Sequence, residues 1–160
     1  MALAGLLLSS ALVPIAANAA GTATTTMPVS MTITAGCTVT ATSVPFGTQS
    51  TLGAVISAQG TVSATCTNTT PYNIGLDKGG GTGATTAVRE MTGPAGALIN
   101  YGLFQNAGFT TNFGNTVGTD TLAGIGNGVA QTVTVYGRVP AQTSPAPGAY
   151  ADVVNVTVTF

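Results

Sequence analysis

The sequence predicts an all-β protein, an antiparallel sandwich that lacks one strand of its own. Three observations predict it. Val, Thr and Ile recur in short alternating runs between Gly- and Pro-rich turns, as strands do. Helical signals are nearly absent, because Gly, Thr, Ser and Asn interrupt every stretch and apolar residues rarely recur at i, i+3 and i+4. The third observation is the final run. Val154, Val156, Val158 and Phe160 fall on one face of an extended strand, and Asn155, Thr157 and Thr159 on the other. No turn or polar tail follows it, so this strand is expected inside a sheet whose edge something else covers.

The elements follow in order. Residues 1–19 are read as a secretory signal peptide. Leu3 to Ile15 is apolar, and Ala17-Asn18-Ala19 is a small-residue cleavage site. Cleavage after Ala19 leaves Ala20 as the mature N-terminus. No Lys or Arg precedes Lys78, so the usual basic start of such a leader is missing. Residues 20–26 are small and polar. Met27, Val29, Met31 and Ile33 then alternate with Pro28, Ser30, Thr32 and Thr34. That alternation says strand, and it leaves open whether the strand belongs to this domain or to a neighbour's. The domain proper is expected over 36–160. Its strands are predicted at Cys37 to Phe46, Thr61 to Asn68 (Val62, Ala64 and Cys66 inward) and Pro71 to Asp77 (Tyr72, Ile74 and Leu76 inward). Further strands are predicted at Leu98 to Gln105 (Ile99, Tyr101 and Leu103 on one face), Val129 to Tyr136 (Val129, Val133 and Val135) and Tyr150 to Phe160. Their number and spacing suit an immunoglobulin-like sandwich in a single domain.

Composition narrows the function classes. Only 4% of the 160 residues are charged, with a net charge of −1, against about 25% in a typical soluble domain. Nothing electrostatic favours nucleic acid or an anionic membrane. So little charge suits a chain packed against copies of itself. Without His no Ser-His-Asp triad can form. The four acids are scattered, and Lys78 to Gly83 lacks the ending of a phosphate loop. No catalytic residue, cofactor or metal site is predicted. Cys37 and Cys66, the only cysteines, are expected to pair in an exported protein. The bond would close a loop of about 30 residues, worth roughly 3.5 kcal/mol in the chain-entropy model. Two free buried thiols are the alternative. The tyrosines Tyr72, Tyr101, Tyr136 and Tyr150 are expected to pack in the core and sheets.

An ordered set of segments resembles a known family. Gly36-Cys37-Thr38-Val39, Phe46-Gly47, Val62 to Cys66 and Thr70-Pro71-Tyr72-Asn73-Ile74 come first. Arg89-Glu90-Met91, Tyr101-Gly102-Leu103-Phe104, Val135-Tyr136-Gly137-Arg138-Val139-Pro140, Gly148-Ala149-Tyr150-Ala151-Asp152 and Val156-Thr157-Val158-Thr159-Phe160 follow. Together they resemble the spore coat protein U domain family, which includes subunits of archaic chaperone–usher pili. The resemblance implies an incomplete immunoglobulin-like sandwich completed by a neighbour's donor strand, with Cys37–Cys66 as the family's disulfide. Residues 20–35 would be the donor segment, with Met27, Val29, Met31 and Ile33 as its pocket fillers. Val154, Val156, Val158 and Phe160 would form the acceptor edge that a periplasmic chaperone captures. Other implied partners are further copies of the chain, an outer-membrane usher and minor and tip pilins. The expected role is a surface fibre supporting adhesion and biofilm, with a secreted coat protein or a carbohydrate-binding sandwich as alternatives.

Overall fold

The computed structural model describes residues 20–160. The predicted signal peptide lies outside the described residues. Residues 33–160 form one compact unit. That unit holds eight strands: β1 (Cys37–Ala41), β2 (Ile56–Cys66), β3 (Pro71–Leu76), β4 (Arg89–Thr92), β5 (Leu98–Phe104), β6 (Leu122–Ile125), β7 (Gln131–Val139) and β8 (Val156–Thr159). They build a five-stranded sheet in the order β1-β2-β7-β5-β4 and a three-stranded sheet in the order β6-β3-β8. Every pair is antiparallel. This is an incomplete immunoglobulin-like sandwich, as the sequence predicts.

Alternation builds the core. Val62, Ala64 and Cys66 on β2 face Tyr72, Ile74 and Leu76 on β3, and all six are buried. Ile99, Tyr101 and Leu103 on β5 and Val135 and Val139 on β7 complete it, with Phe113 from the β5–β6 connection. Burying a side chain of this size stabilises by roughly 1.5–3 kcal/mol. Cys37 and Cys66 are bonded, with sulfurs 2.07 Å apart, and join directly opposite positions of β1 and β2.

Some expected strands come out differently. The first ends at Ala41, not Phe46. The Thr42 N–H still donates to Thr61 O, but the chain then crosses the inner face of the sheet. A Cβ at Gly60 would sit 2.7 Å from Ser43 O, and one at Gly137 would sit 2.5 Å from a Val44 methyl. Two glycines on β2 and β7 thus make room for Val44 and Phe46 to pack inward. The second strand begins earlier than expected, at Ile56. Val129 stands exposed before β7. The predicted terminal strand is two pieces: Ala151 bridges to Thr92 at the edge of β4, and only Val156–Thr159 pairs with β3. Strands β4 and β6, four residues each, were not expected at all. The sequence Arg89-Glu90-Met91-Thr92 reads as polar, and Leu122-Ala123-Gly124-Ile125 is too short for a clear period.

A candidate strand-accepting groove

The two sheets do not close on each other along one side. Strand β1 is the last of the large sheet and β8 the last of the small one. They approach each other there without pairing. Opposite residues in an antiparallel pair share a face, so Val39 and Ala41 point the same way as their partners Ala64 and Val62. Those partners are fully buried, yet Val39 and Ala41 are exposed. On the other side Val158 and Val156 pair with buried Ile74 and Leu76. With Val154 they are only half-buried. Two inward-facing apolar rows thus lack a covering strand.

Between them lies a cavity of about 820 Å³. Ala41, Val44, Phe46, Tyr101, Val139, Val154 and Val156 are among its lining residues. Phe46 meets Tyr101 edge to face at 6.1 Å between ring centres. The loop carrying Phe46 is tied across the cavity mouth: Leu52 N–H donates to the Ser144 hydroxyl at 2.8 Å, and Gln142 N–H to Leu52 O at 2.8 Å.

The expected site residues fall into two groups. Val154, Val156 and Val158 line or flank the open side, and Phe160 is 58% exposed beyond it. Residues 20–35 form no strand. Met27, Val29, Met31 and Ile33 are 85, 90, 87 and 78% exposed. Among the described residues nothing covers them.

Polar groups outside those expectations fix the groove wall. The Asp77 carboxylate accepts the backbone N–H of Gly79 and of Asn155, each at 2.9 Å, and the Asn155 side-chain amide at 2.6 Å. Burial alone would raise the Asp77 pKa. The bonds from Asn155 and Gly79, with the charge of Arg89, outweigh it and hold the carboxyl below its ordinary value. Asp152 accepts Gly80 N–H at 2.7 Å and the Tyr101 phenol at 2.6 Å. Burial pushes the Tyr101 pKa far up, and the bond to Asp152 adds to it, so the phenol stays a donor. Arg89 is completely buried and donates to the carbonyls of Asp77, Thr86, Leu76 and Phe113 at 2.7 to 2.9 Å. It fastens the end of β3 to β4 and to the β5–β6 connection. Asp77, Arg89 and Asp152 stand out in the sequence as isolated charges in a nearly uncharged chain, and Arg89, Tyr101 and Asp152 fall in the segments that carry the family resemblance. Among the described residues no cluster of His, Cys, Asp or Glu suits a metal ion.

Three comparisons bear on this arrangement. Residues 23–157 match the Spore Coat Protein U domain. Protein U of Myxococcus xanthus is 32% identical over 121 residues, covering 72% of this chain and 67% of that protein. Among solved structures, the chaperone–tip adhesion subunit pre-assembly complex (CsuC-CsuE) of archaic chaperone–usher Csu pili from Acinetobacter baumannii contains a similar chain, with a TM-score of 0.59 and 25% identity. The match covers 81% of this chain and 40% of that one, so this chain spans less than half of its neighbour's length.

Proposed function

The chain belongs to the Spore Coat Protein U domain family, and from that premise we propose that it is a subunit of a chaperone–usher surface pilus, joined to its neighbours by donor-strand exchange. The observation that carries this reading is the uncovered apolar groove between β1 and β8, in a chain that also carries an exposed alternating segment. Residues 20–35 of one copy supply the strand that the sandwich of the next copy lacks. Met27, Val29, Met31 and Ile33 enter the groove, and the backbone pairs with the open sheet edges. Pro28 cannot donate to that ladder, and it alternates away from the four pocket-filling side chains. Burying four such side chains at roughly 1.5–3 kcal/mol each, with the ladder, makes a joint that opens very slowly.

Before assembly the groove edges are an aggregation hazard, and a periplasmic chaperone lending a strand beside Val154 to Phe160 protects them. An outer-membrane usher exchanges that strand for the next subunit's segment 20–35, once a leader at residues 1–19 has been removed. The product is a polymer of identical subunits, with minor and tip pilins, on the cell surface, where it supports adhesion and biofilm. The role is structural rather than enzymatic, like that of the matched family and its pilus neighbour. A secreted coat protein is the second reading, favoured by the two-thirds coverage of Protein U.

Deleting residues 20–34 tests the proposal. The expected result is a folded, chaperone-bound subunit that forms no boiling-resistant ladder of polymers. Loss of both the chaperone complex and the ladder would make 27–33 the domain's own strand, and an intact ladder would exclude exchange through these residues.

A further inference from the structure

The five-stranded sheet has a second face, turned away from the core, with a composition that strand exchange does not use. Along β1, β2 and β7 it is a lattice of hydroxyls. Thr38 lies opposite Thr65, Thr40 opposite Ser63 and Ser63 opposite Thr132, with Thr61 opposite Thr134. The Ser63 and Thr132 hydroxyls are 3.0 Å apart, and those of Thr42 and Thr61 are 3.1 Å apart.

Farther along β7 the same face becomes aromatic and cationic. Tyr136 sits between Gln59 and Phe104, and Arg138 between Ser57 and Gly102. Phe109, from the β5–β6 connection, meets Phe104 edge to face at 5.6 Å. The Arg138 guanidinium carbon lies 5.6 Å from the centre of the Phe109 ring.

Two features separate this patch from ordinary sheet packing. The first is backbone strain. Phe109 has φ of 54°, a left-handed conformation that is unfavourable for a phenylalanine and that clusters at ligand sites. Asn106 holds it there: its side-chain carbonyl accepts the N–H groups of Thr110 and Thr111 at 3.2 and 3.0 Å, and its main-chain carbonyl accepts that of Phe109 at 3.0 Å. The second is an unpaired cation. Every guanidinium nitrogen of Arg89 finds a carbonyl, whereas Arg138 has no hydrogen-bond or carboxylate partner among the described residues, and its Nε is buried without one. Glu90, an acid on this face, lies two strands away and accepts Gly83 N–H.

We propose that this face binds an acidic polysaccharide built of uronate sugars. The planar guanidinium of Arg138 takes a sugar carboxylate, a geometry that arginine matches bidentately. The half-buried rings of Tyr136, Phe104 and Phe109 offer an apolar platform to the C–H face of the sugar. The Thr and Ser hydroxyls, each able to donate or accept, continue the contact along the chain. A neutral glycan leaves the cation unpaired. The face lies opposite the groove, so the proposal does not rest on strand exchange.

The test is titration of the purified chain with polygalacturonate, using neutral dextran as the comparison. Polygalacturonate is expected to bind and dextran not. Arg138→Gln should weaken binding about tenfold or more, the loss of one charge-assisted contact, and Arg138→Lys should restore part of it. Thr132→Val should cost about two- to threefold. Even if Arg138→Gln fails to fold, the unaltered chain decides the question, because free galacturonate should displace the polymer and galactose should not. Equal binding of dextran, unchanged binding by a folded Arg138→Gln, or equal competition by galactose would each overturn the proposal.

Discussion

In the C-terminal run Val156 and Val158 lie half-buried opposite Leu76 and Ile74, whereas in the N-terminal run Met27, Val29, Met31 and Ile33 all stand in solvent. Both runs alternate apolar and polar residues with the same period. The difference is in what fastens them. The C-terminal run is held by its ladder to β3, by three bonds between Asp77 and Asn155, and by Asp152 reaching Gly80 and Tyr101. Among the described residues the N-terminal run has a single tie, a long bond of 3.5 Å from the Thr67 hydroxyl to Thr34 O at its very end. A period of two makes a segment fit to be a strand, and local polar ties decide which sheet receives it.

The comparison can be broken at its stronger end first. Deleting Val156 to Phe160 should abolish accumulation of the chain, because β8 is one of three strands in its sheet and the whole stability margin of a domain is only about 5–15 kcal/mol. Normal levels of the truncated protein would make the two runs equivalent. Cys66→Ser comes next. Loss of the Cys37–Cys66 bond should lower stability by about 3 kcal/mol, read as a lower denaturation midpoint, and should free the β1 wall of the groove. Single carboxylates sharpen the contrast further. Val156→Asp should destabilise the isolated domain by about 2 kcal/mol, while Val29→Asp should leave its denaturation midpoint unchanged within about 0.5 kcal/mol.

The smallest effect concerns acid. Asp77 has a folded pKa below its ordinary value, so its stabilisation is complete above the unfolded value of about 3.9 and fades as pH falls through the folded one. Stability should therefore be flat from neutral pH to about 5 and decline below about 4. Asp77→Asn should flatten that decline, at a cost below about 1 kcal/mol at neutral pH, because solvent screens so accessible a group. An acid limb of equal depth in both proteins would show that Asp77 does not anchor the C-terminal run.

Much of this architecture was legible from side-chain alternation. Val62, Ala64 and Cys66, then Tyr72, Ile74 and Leu76, then Ile99, Tyr101 and Leu103 each announce an inward face, and all are buried. The pairing of Cys37 with Cys66 was legible because the sequence has only two cysteines. What stayed hidden depends on non-local polar chemistry. Strand β4 carries Arg89, whose burial depends on carbonyl partners on three other segments. The bend after Ala41 depends on glycines nearly 20 and 100 residues away in the chain, at Gly60 and Gly137. Tyr136 was expected only to pack. Arg138, two residues along β7, shares its face by simple alternation, but Phe109 reaches Arg138 and Phe104 from the β5–β6 connection, a meeting that no periodicity encodes.

The position of the disulfide has a mechanical consequence. Cys37 is the first residue of β1, so it stands where the N-terminal segment enters the sandwich. A pull on that segment meets only the hydrogen bonds of Thr67 to Gly36 and Thr34 before it reaches the covalent link to Cys66, which stands ahead of the rest of the β1–β2 ladder. Peeling β1 from its leading end, rung by rung, is thereby blocked. Tension passes instead into β2, the eleven-residue strand between β1 and β7, and spreads over two ladders at once. A chain drawn taut through its N-terminus would yield first somewhere other than this edge.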